Sequence, residues 1–291
     1  MNSTSRQRAA GVPDVRGLRI PDRTLELLRE LIASVAGIHY DDGRLDLLRD
    51  RLVPLAIERG FDSLLDYYYL LKYDAGAEQE WPRVMDTLSV QETYFWRESD
   101  QLKALAATIV PQLIAQGRRN IRIWSIPCAT GEEPLSIAMS LEEAGWFERV
   151  AIQIHASDAS QSALAKAAAR RYGRRSFRQL PDQMRDKYFT RDRDKEEWTV
   201  SPDLFARVTS WSRLNLVSET ETAALATCDV IFCRNLFIYF TPASVLEIVK
   251  RLGRTMPAPG FLCVGAAESL LRLSTNFELK DLGGAYVYVK S

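Results

Sequence analysis

Residues 121–139 read IRIWSIPCATGEEPLSIAM. The segment starts as a strand and ends as a helix, and the turn between them holds Gly131 followed by Glu132 and Glu133. In an open α/β sheet, ligands sit outside the carboxyl ends of the strands, which is where this turn falls. A dinucleotide site would need G-x-G-x-x-G and free backbone amides to receive a pyrophosphate. Here a single glycine precedes two carboxylates, which repel phosphate and suit a ligand with a positive group, an amine or a sulfonium. The same glutamates also suit the first turn of a helix through its dipole, with Pro134 at an early position. The sequence leaves both readings open.

Working outward, short β-branched runs (IRIWSI, AIQIHAS, DVIFC, GFLCVGA) alternate with helical stretches. That order implies βαβ units and a parallel sheet. The tail FELKDLGGAYVYVK reads as two strands joined at Gly283-Gly284, a hairpin at the sheet edge. Between residues 172 and 214 the pattern breaks into charged, turn-rich pieces, an insertion or small subdomain. Upstream, from Arg23 to about Leu102, the pattern is helical throughout. TLELLRELIASVAG puts Leu27, Leu28, Leu31, Ile32 and Val35 on one face and stops at Gly37. A second helix closes at Gly60, with Pro54 as a candidate kink, and two more follow. The expected organisation is a tail over 1–18, a helical domain over 19–90 and an α/β domain over 91–291.

With 38 basic and 38 acidic residues the 291-residue chain carries no global field for nucleic acid or an anionic membrane. It has no apolar run long enough for a transmembrane helix, and its basic N-terminus lacks the apolar core of a signal peptide. Cys128, Cys228, Cys233 and Cys263 lack metal-site spacing and read as reduced, buried thiols of a cytoplasmic protein.

Three further stretches carry polar groups in site-like positions. Asp158, ending IQIHASD, either accepts the two hydroxyls of a ribose or caps the helix beginning SQSALAKAAARR. Arg234 and Asn235, at the end of DVIFCRNLFIYF, either face a substrate or bond their own backbone. QETYFWRE, residues 91–98, brings Thr93 and Arg97 beside aromatics that could equally be core at a domain joint. A glycine turn without phosphate chemistry and a ribose acid together suggest a nucleoside with a cation. S-adenosylmethionine has that composition.

In chain order, ETYFWRE, WSIPCATGEEPLSIAM, ASDAS, RLNL and DVIFCRNLFIYF resemble the CheR chemotaxis receptor methyltransferases over roughly residues 20–290. The resemblance implies a helical domain preceding a class I S-adenosylmethionine-dependent methyltransferase sheet of Rossmann-like type, with a small β-subdomain near 172–214. It implies methyl transfer to glutamate carboxylates in the cytoplasmic domain of a chemoreceptor, leaving S-adenosylhomocysteine. By position it assigns Gln91, Thr93 and Arg97 to the cofactor pocket, Glu133 to the methionyl amine and Asp158 to the ribose. Asn215 and Leu216 fall beside the adenine. Arg234 and Asn235 fall at the cofactor near the methyl group and the substrate. Arg97, Arg234 and Tyr239 form the catalytic set.

The sequence departs from the family at several points. Gln91 replaces the usual Asn, Ala159 replaces one of an acidic pair, and GAAESL at 265–270 keeps Glu268 without the usual His and Asn, with Ala266 in their place. The second helix retains only Arg44, Arg49, Arg51 and Arg59 of a more basic receptor-facing surface. The subdomain lacks a glycine-rich insert, so no tether to a receptor's C-terminal pentapeptide is expected. The chain is expected to be monomeric, free of metal and independent of nucleic acid and of membrane insertion. The alternatives are a different methyl acceptor, or a cofactor-binding signalling module with little turnover.

Overall fold

The computed structural model describes residues 18–21, 23–192, 194–273 and 276–290. The tail expected over 1–18 lies outside them, apart from Leu18. The chain forms two compact units: residues up to Ser34 with His39–Leu88, and Val35–Ile38 with Ser89–Ser291.

The smaller unit is built on α1 (Thr24–Ala36), α2 (Leu45–Glu58), α3 (Leu64–Tyr73) and α4 (Ala77–Leu88). Each buries a stripe at helical spacing, such as Leu28 with Ile32, Leu48 with Leu52, and Tyr67 with Leu71. α2 runs on through Pro54 and stops at Gly60, whose φ of +83° is the left-handed conformation a helix end requires. Glu80 is buried and is held by the Tyr67 hydroxyl at 2.9 Å and by Arg59 at 3.0 Å. The four arginines expected to face a receptor all have partners within this unit. Arg44 pairs with Asp41 at 3.6 Å and Arg49 with Asp46 at 2.8 Å, Arg59 holds Glu80, and Arg51 donates to the Thr87 carbonyl.

In the larger unit, α5 (Ser99–Ala104) passes through one π-helical turn into α6 (Val110–Ala115). The sheet then begins: β1 (Asn120–Ser125), α7 (Glu132–Glu143), β2 (Ala151–Asp158), α8 (Gln161–Ala169). Next come β3 (Arg171–Gly173), α9 (Asp182–Tyr188), β4 (Phe189–Arg191), β5 (Glu197–Val200) and α10 (Pro202–Ala206). The chain closes with β6 (Val208–Arg213), α11 (Glu219–Thr222), β7 (Val230–Phe232), α12 (Pro242–Thr255), β8 (Gly260–Cys263), β9 (Phe277–Asp281) and β10 (Tyr286–Lys290).

Seven strands form one mixed sheet in the order β6-β2-β1-β7-β8-β10-β9. β6, β2, β1, β7 and β8 run parallel, and β10 is antiparallel to both neighbours. The central strands β7 and β8 are buried at every residue, as a parallel sheet covered on both faces requires. The hairpin expected at the tail forms, with β9 as the edge strand. Strand order reverses between β1 and β7, which opens a crevice at their carboxyl ends.

β3, β5 and β4 form a separate antiparallel sheet. The insertion expected over 172–214 therefore takes in too much. β6 lies inside that span but pairs with β2 in the large sheet, from Val208 beside Ile154 to Arg213 beside Asp158. Its alternating, half-buried residues look the same in sequence whichever sheet they join. Phe95 is fully buried with its ring 4.8 Å from Tyr172 and 4.9 Å from Phe189, so the aromatic part of QETYFWRE is core beneath the small sheet. All four cysteines are free and buried.

Candidate active site

Five strands deliver their carboxyl ends to one crevice. The β1–α7 turn crosses it: Ile126 N–H donates to the Phe232 carbonyl on one side, and Cys128 N–H to the Ser157 carbonyl on the other, both at 2.8 Å. Ala129 and Gly131 take positive φ, 45° and 98°. At Gly131 a side chain would also meet the Trp211 ring and the Tyr172 hydroxyl at 3.0 Å, so only glycine fits that start of α7.

Glu132 and Glu133 separate because successive helical residues point ~100° apart. Both are buried. Glu132 turns toward the small sheet, accepting from the Thr130 hydroxyl at 2.6 Å and the Ser176 hydroxyl at 2.9 Å. Burial raises its pKa, partly offset by those two donors. Glu133 turns toward the strand ends, accepting from the Ser125 hydroxyl at 2.6 Å and from Arg234 Nε at 2.7 Å. The pair of charges is thus one carboxylate that anchors the subdomain and one that belongs to the crevice.

Arg234 is buried and committed to internal partners. Besides Glu133, its Nη1 donates to the Arg97 carbonyl at 3.0 Å and lies 3.7 Å from Glu98. Burial opposes its charge, but the Glu133 and Glu98 carboxylates outweigh that and raise its pKa above the usual guanidinium value. Arg97 is half-exposed. Its nearest carboxylate, Glu98, is 3.9 Å away, and its Cζ lies 5.4 Å from the Tyr94 ring centroid.

Asp158 is buried and takes two backbone donors. One oxygen accepts from Ala129 N–H and the other from Ser160 N–H, each at 2.8 Å, so it ties the first turn to the second strand. The helix cap is Ser160, whose hydroxyl accepts from Ala163 N–H at 3.0 Å. Gln91 closes the same corner: its amide donates to the Ser160 and Ser162 hydroxyls and accepts from Lys166 at 2.7 Å. Thr93 is half-buried in the same connecting segment.

After β6, Leu214 N–H donates to the Asp158 carbonyl at 2.9 Å, which brings the next residues alongside. The Asn215 side chain is turned inward, donating to the Val35 carbonyl at 2.6 Å and accepting from Val217 N–H at 3.1 Å. Leu216 is buried. After β7, Asn235 takes a left-handed φ of 59° and Tyr239 is half-buried in the following turn.

Four residues that the sequence reading left without a role complete the arrangement. Ser125 holds Glu133, Gln101 reaches Arg234 and the Val264 carbonyl, and Glu98 touches Arg234 and Asn235. Glu268 accepts from the backbone N–H of Asn235 at 2.8 Å and of Gly265 at 2.6 Å. Glu268 carried a sequence signal as the residue retained in GAAESL, and Glu98 and Ser125 lie in quoted motifs without a role assigned to them.

The strand ends therefore carry the carboxylates of Asp158 and Glu133 and the buried, unpartnered Asn235 Oδ1. Those acceptors suit the hydroxyls, amine and sulfonium of S-adenosylmethionine. No group of three His, Cys, Asp or Glu among the described residues is arranged to hold a metal ion, and no described helix is long and apolar enough to cross a membrane.

Comparison with known proteins identifies the family. The CheR methyltransferase SAM-binding domain model matches residues 91–283, and the CheR methyltransferase all-alpha domain model matches residues 23–89. Chemotaxis protein methyltransferase 2 of Vibrio cholerae is 32% identical over 274 residues, covering 93% of this chain and 94% of its own. Chemotaxis protein methyltransferase 1 of Pseudomonas aeruginosa is 30% identical, covering 90% and 96%. The chemotaxis protein methyltransferase of Escherichia coli is 30% identical, covering 94% and 93%. This chain belongs to the CheR methyltransferase family and is an S-adenosylmethionine-dependent methyltransferase.

Proposed function

We propose that the protein methylates glutamate side chains in the cytoplasmic domain of a chemoreceptor, giving methyl esters and S-adenosylhomocysteine, and that it acts as a cytoplasmic monomer. The observation that carries this reading is the set of acceptors at the strand ends, Glu133, Asp158 and Asn235 Oδ1, with the half-exposed Arg97 tied through its backbone carbonyl to the buried Arg234. The cofactor, when bound, supplies a methyl group activated by a sulfonium.

A glutamate with a pKa near ~4.3 is already ionised at neutral pH, so the acceptor needs no general base. The protein's task is to align the carboxylate with the methyl group and to exclude water, which can contribute ~7–11 kcal/mol in favourable cases. Asp158 and Gln91 take the ribose corner, and Thr93 lies beside them. Glu133 takes the amine, and the segment of Asn215 and Leu216 takes the adenine. Arg97 orients the incoming carboxylate without a tight ion pair, which would stabilise the ground state instead of the transition state. Tyr239 walls the methyl channel and Asn235 lies at the reacting end. Arg234 acts from behind as the counter-charge that keeps Glu133 and the Arg97 backbone in place.

The same reading includes no pentapeptide tether, in keeping with the short three- and four-residue strands of the small sheet. Titration with a receptor C-terminal peptide tests this: micromolar binding would refute it. A second reading, a different protein acceptor, is favoured by the internal pairing of the arginines at positions 44, 49, 51 and 59. Calorimetric titration with S-adenosylhomocysteine tests the cofactor half of the proposal. Micromolar or tighter binding is expected, and a folded protein that binds none would overturn it.

A further inference from the structure

Asn235 is held on three sides. Its backbone N–H donates to Glu268 Oε2 at 2.8 Å, in a left-handed conformation. Its side-chain Nδ2 donates to Glu98 Oε1 at 3.3 Å. Gly265 lies so close that a side chain there would fall 2.1 Å from Asn235 Nδ2. Its Oδ1 is buried and has no partner.

The orientation of an amide follows from what faces each end. A carboxylate accepts and cannot donate, so the end of the Asn235 amide that meets Glu98 is the NH₂ group. The carbonyl end then faces away from Glu98 as the unfilled acceptor. Glu98 is itself fixed: it sits at the start of α5 with φ of 51°, and its other oxygen lies 3.7 Å from the buried Arg234 guanidinium. A buried acceptor left empty is costly, so its place at the strand ends marks the point where a donor from the ligand belongs.

We infer that Glu98 is a positioning residue that turns the Asn235 amide so that Oδ1 accepts a hydrogen bond from the bound cofactor. The inference rests on the reading of the crevice as the S-adenosylmethionine site. It predicts that the bond between positions 98 and 235 matters more than the charge of either residue.

The test is a rescue experiment read by calorimetric titration with S-adenosylhomocysteine, with folding of each variant checked by thermal melting. Glu98→Gln keeps an acceptor for Nδ2 and should bind within about threefold of wild type. Glu98→Ala frees the amide to rotate and should lose about tenfold or more, the scale of one hydrogen bond to a charged group. Asn235→Asp sets two carboxylates against each other and should lose at least as much. Combining Asn235→Asp with Glu98→Gln supplies a donor at position 98 and should restore affinity to within about threefold. Combining it with Asp100→Asn, an exposed acid without contact to Asn235, should restore nothing. A double variant that binds as weakly as Asn235→Asp alone, or equal rescue by Asp100→Asn, would overturn the inference and leave the cofactor site standing. Wild-type protein that binds no S-adenosylhomocysteine would overturn both.

Discussion

Replacing Arg234 by Met keeps most of the side-chain volume and removes one charge from the centre of the crevice. The Arg234 and Glu133 side chains are 4% and 9% exposed, with Nε 2.7 Å from the carboxylate, so solvent screens the pair little. Removing one partner of such a pair leaves an uncompensated buried charge and costs about 3–5 kcal/mol. The Arg97 carbonyl also loses its donor at 3.0 Å, which adds up to ~1.5 kcal/mol. In a unit of this size each kcal/mol moves the melting point by about 2–4 °C, so Arg234→Met should melt roughly 6–26 °C lower. Chemical denaturation of Arg234→Met, Glu133→Gln and the double variant gives the coupling directly. The double variant should be less destabilised than the sum of the two singles by about 1–3 kcal/mol. Arg234→Met within about 1 kcal/mol of wild type, or additive effects, would refute the role of this pair as the scaffold of the site.

Arg97→Ala should reduce methyl transfer at least tenfold with an unchanged melting point, because the side chain is 30% exposed and its ion pair with Glu98 is long, 3.9 Å; near-normal turnover would count against its role. Asp158→Ala removes the acceptor for Ala129 and Ser160 N–H as well as the ribose contact. It should therefore cost ~1–3 kcal/mol of stability along with most of the affinity for S-adenosylhomocysteine, read by denaturation and calorimetry. Burial pushes the thiols of Cys228 and Cys263 up to about 12, and those of Cys128 and Cys233 well above the ordinary value. No thiol of the folded protein should react with a disulfide reagent at pH 8, and all four should react on unfolding. Above about pH 8.5 the unfolded chain gives up thiol protons that the folded chain keeps, so stability should fall as pH rises through that range. A denaturation series from pH 7 to 10 that stays flat would contradict this.

Much of the fold is legible because it is written in local patterns: helical stripes before residue 90, β-branched runs after it, and Gly131 before the two glutamates. The carboxyl-end rule then places Glu133, Asp158 and Asn235 at one crevice without coordinates. What stays hidden depends on partners distant in sequence. The division of labour between Glu132 and Glu133 becomes visible only once Ser176 and Arg234 have been folded against them. The internal commitment of Arg234 depends on Arg97 and Gln101, more than 130 residues away in the chain. β6 is indistinguishable from a subdomain strand until its pairing with β2 is known. Glu98 looks like one more charge at a helix start, and its contact with Asn235 is a tertiary fact.

The most direct measurement of the proposed activity uses S-adenosylmethionine labelled in its methyl group, the protein, and the cytoplasmic fragment of a chemoreceptor from the same cell. Glutamate methyl esters hydrolyse in mild base and release volatile methanol, whereas methyl groups on nitrogen do not. The expected result is label on the receptor fragment that leaves as methanol in base and is lost with Arg97→Ala. Label that survives base, or none on the receptor while wild-type protein still binds S-adenosylhomocysteine, would contradict carboxylate methylation of a chemoreceptor.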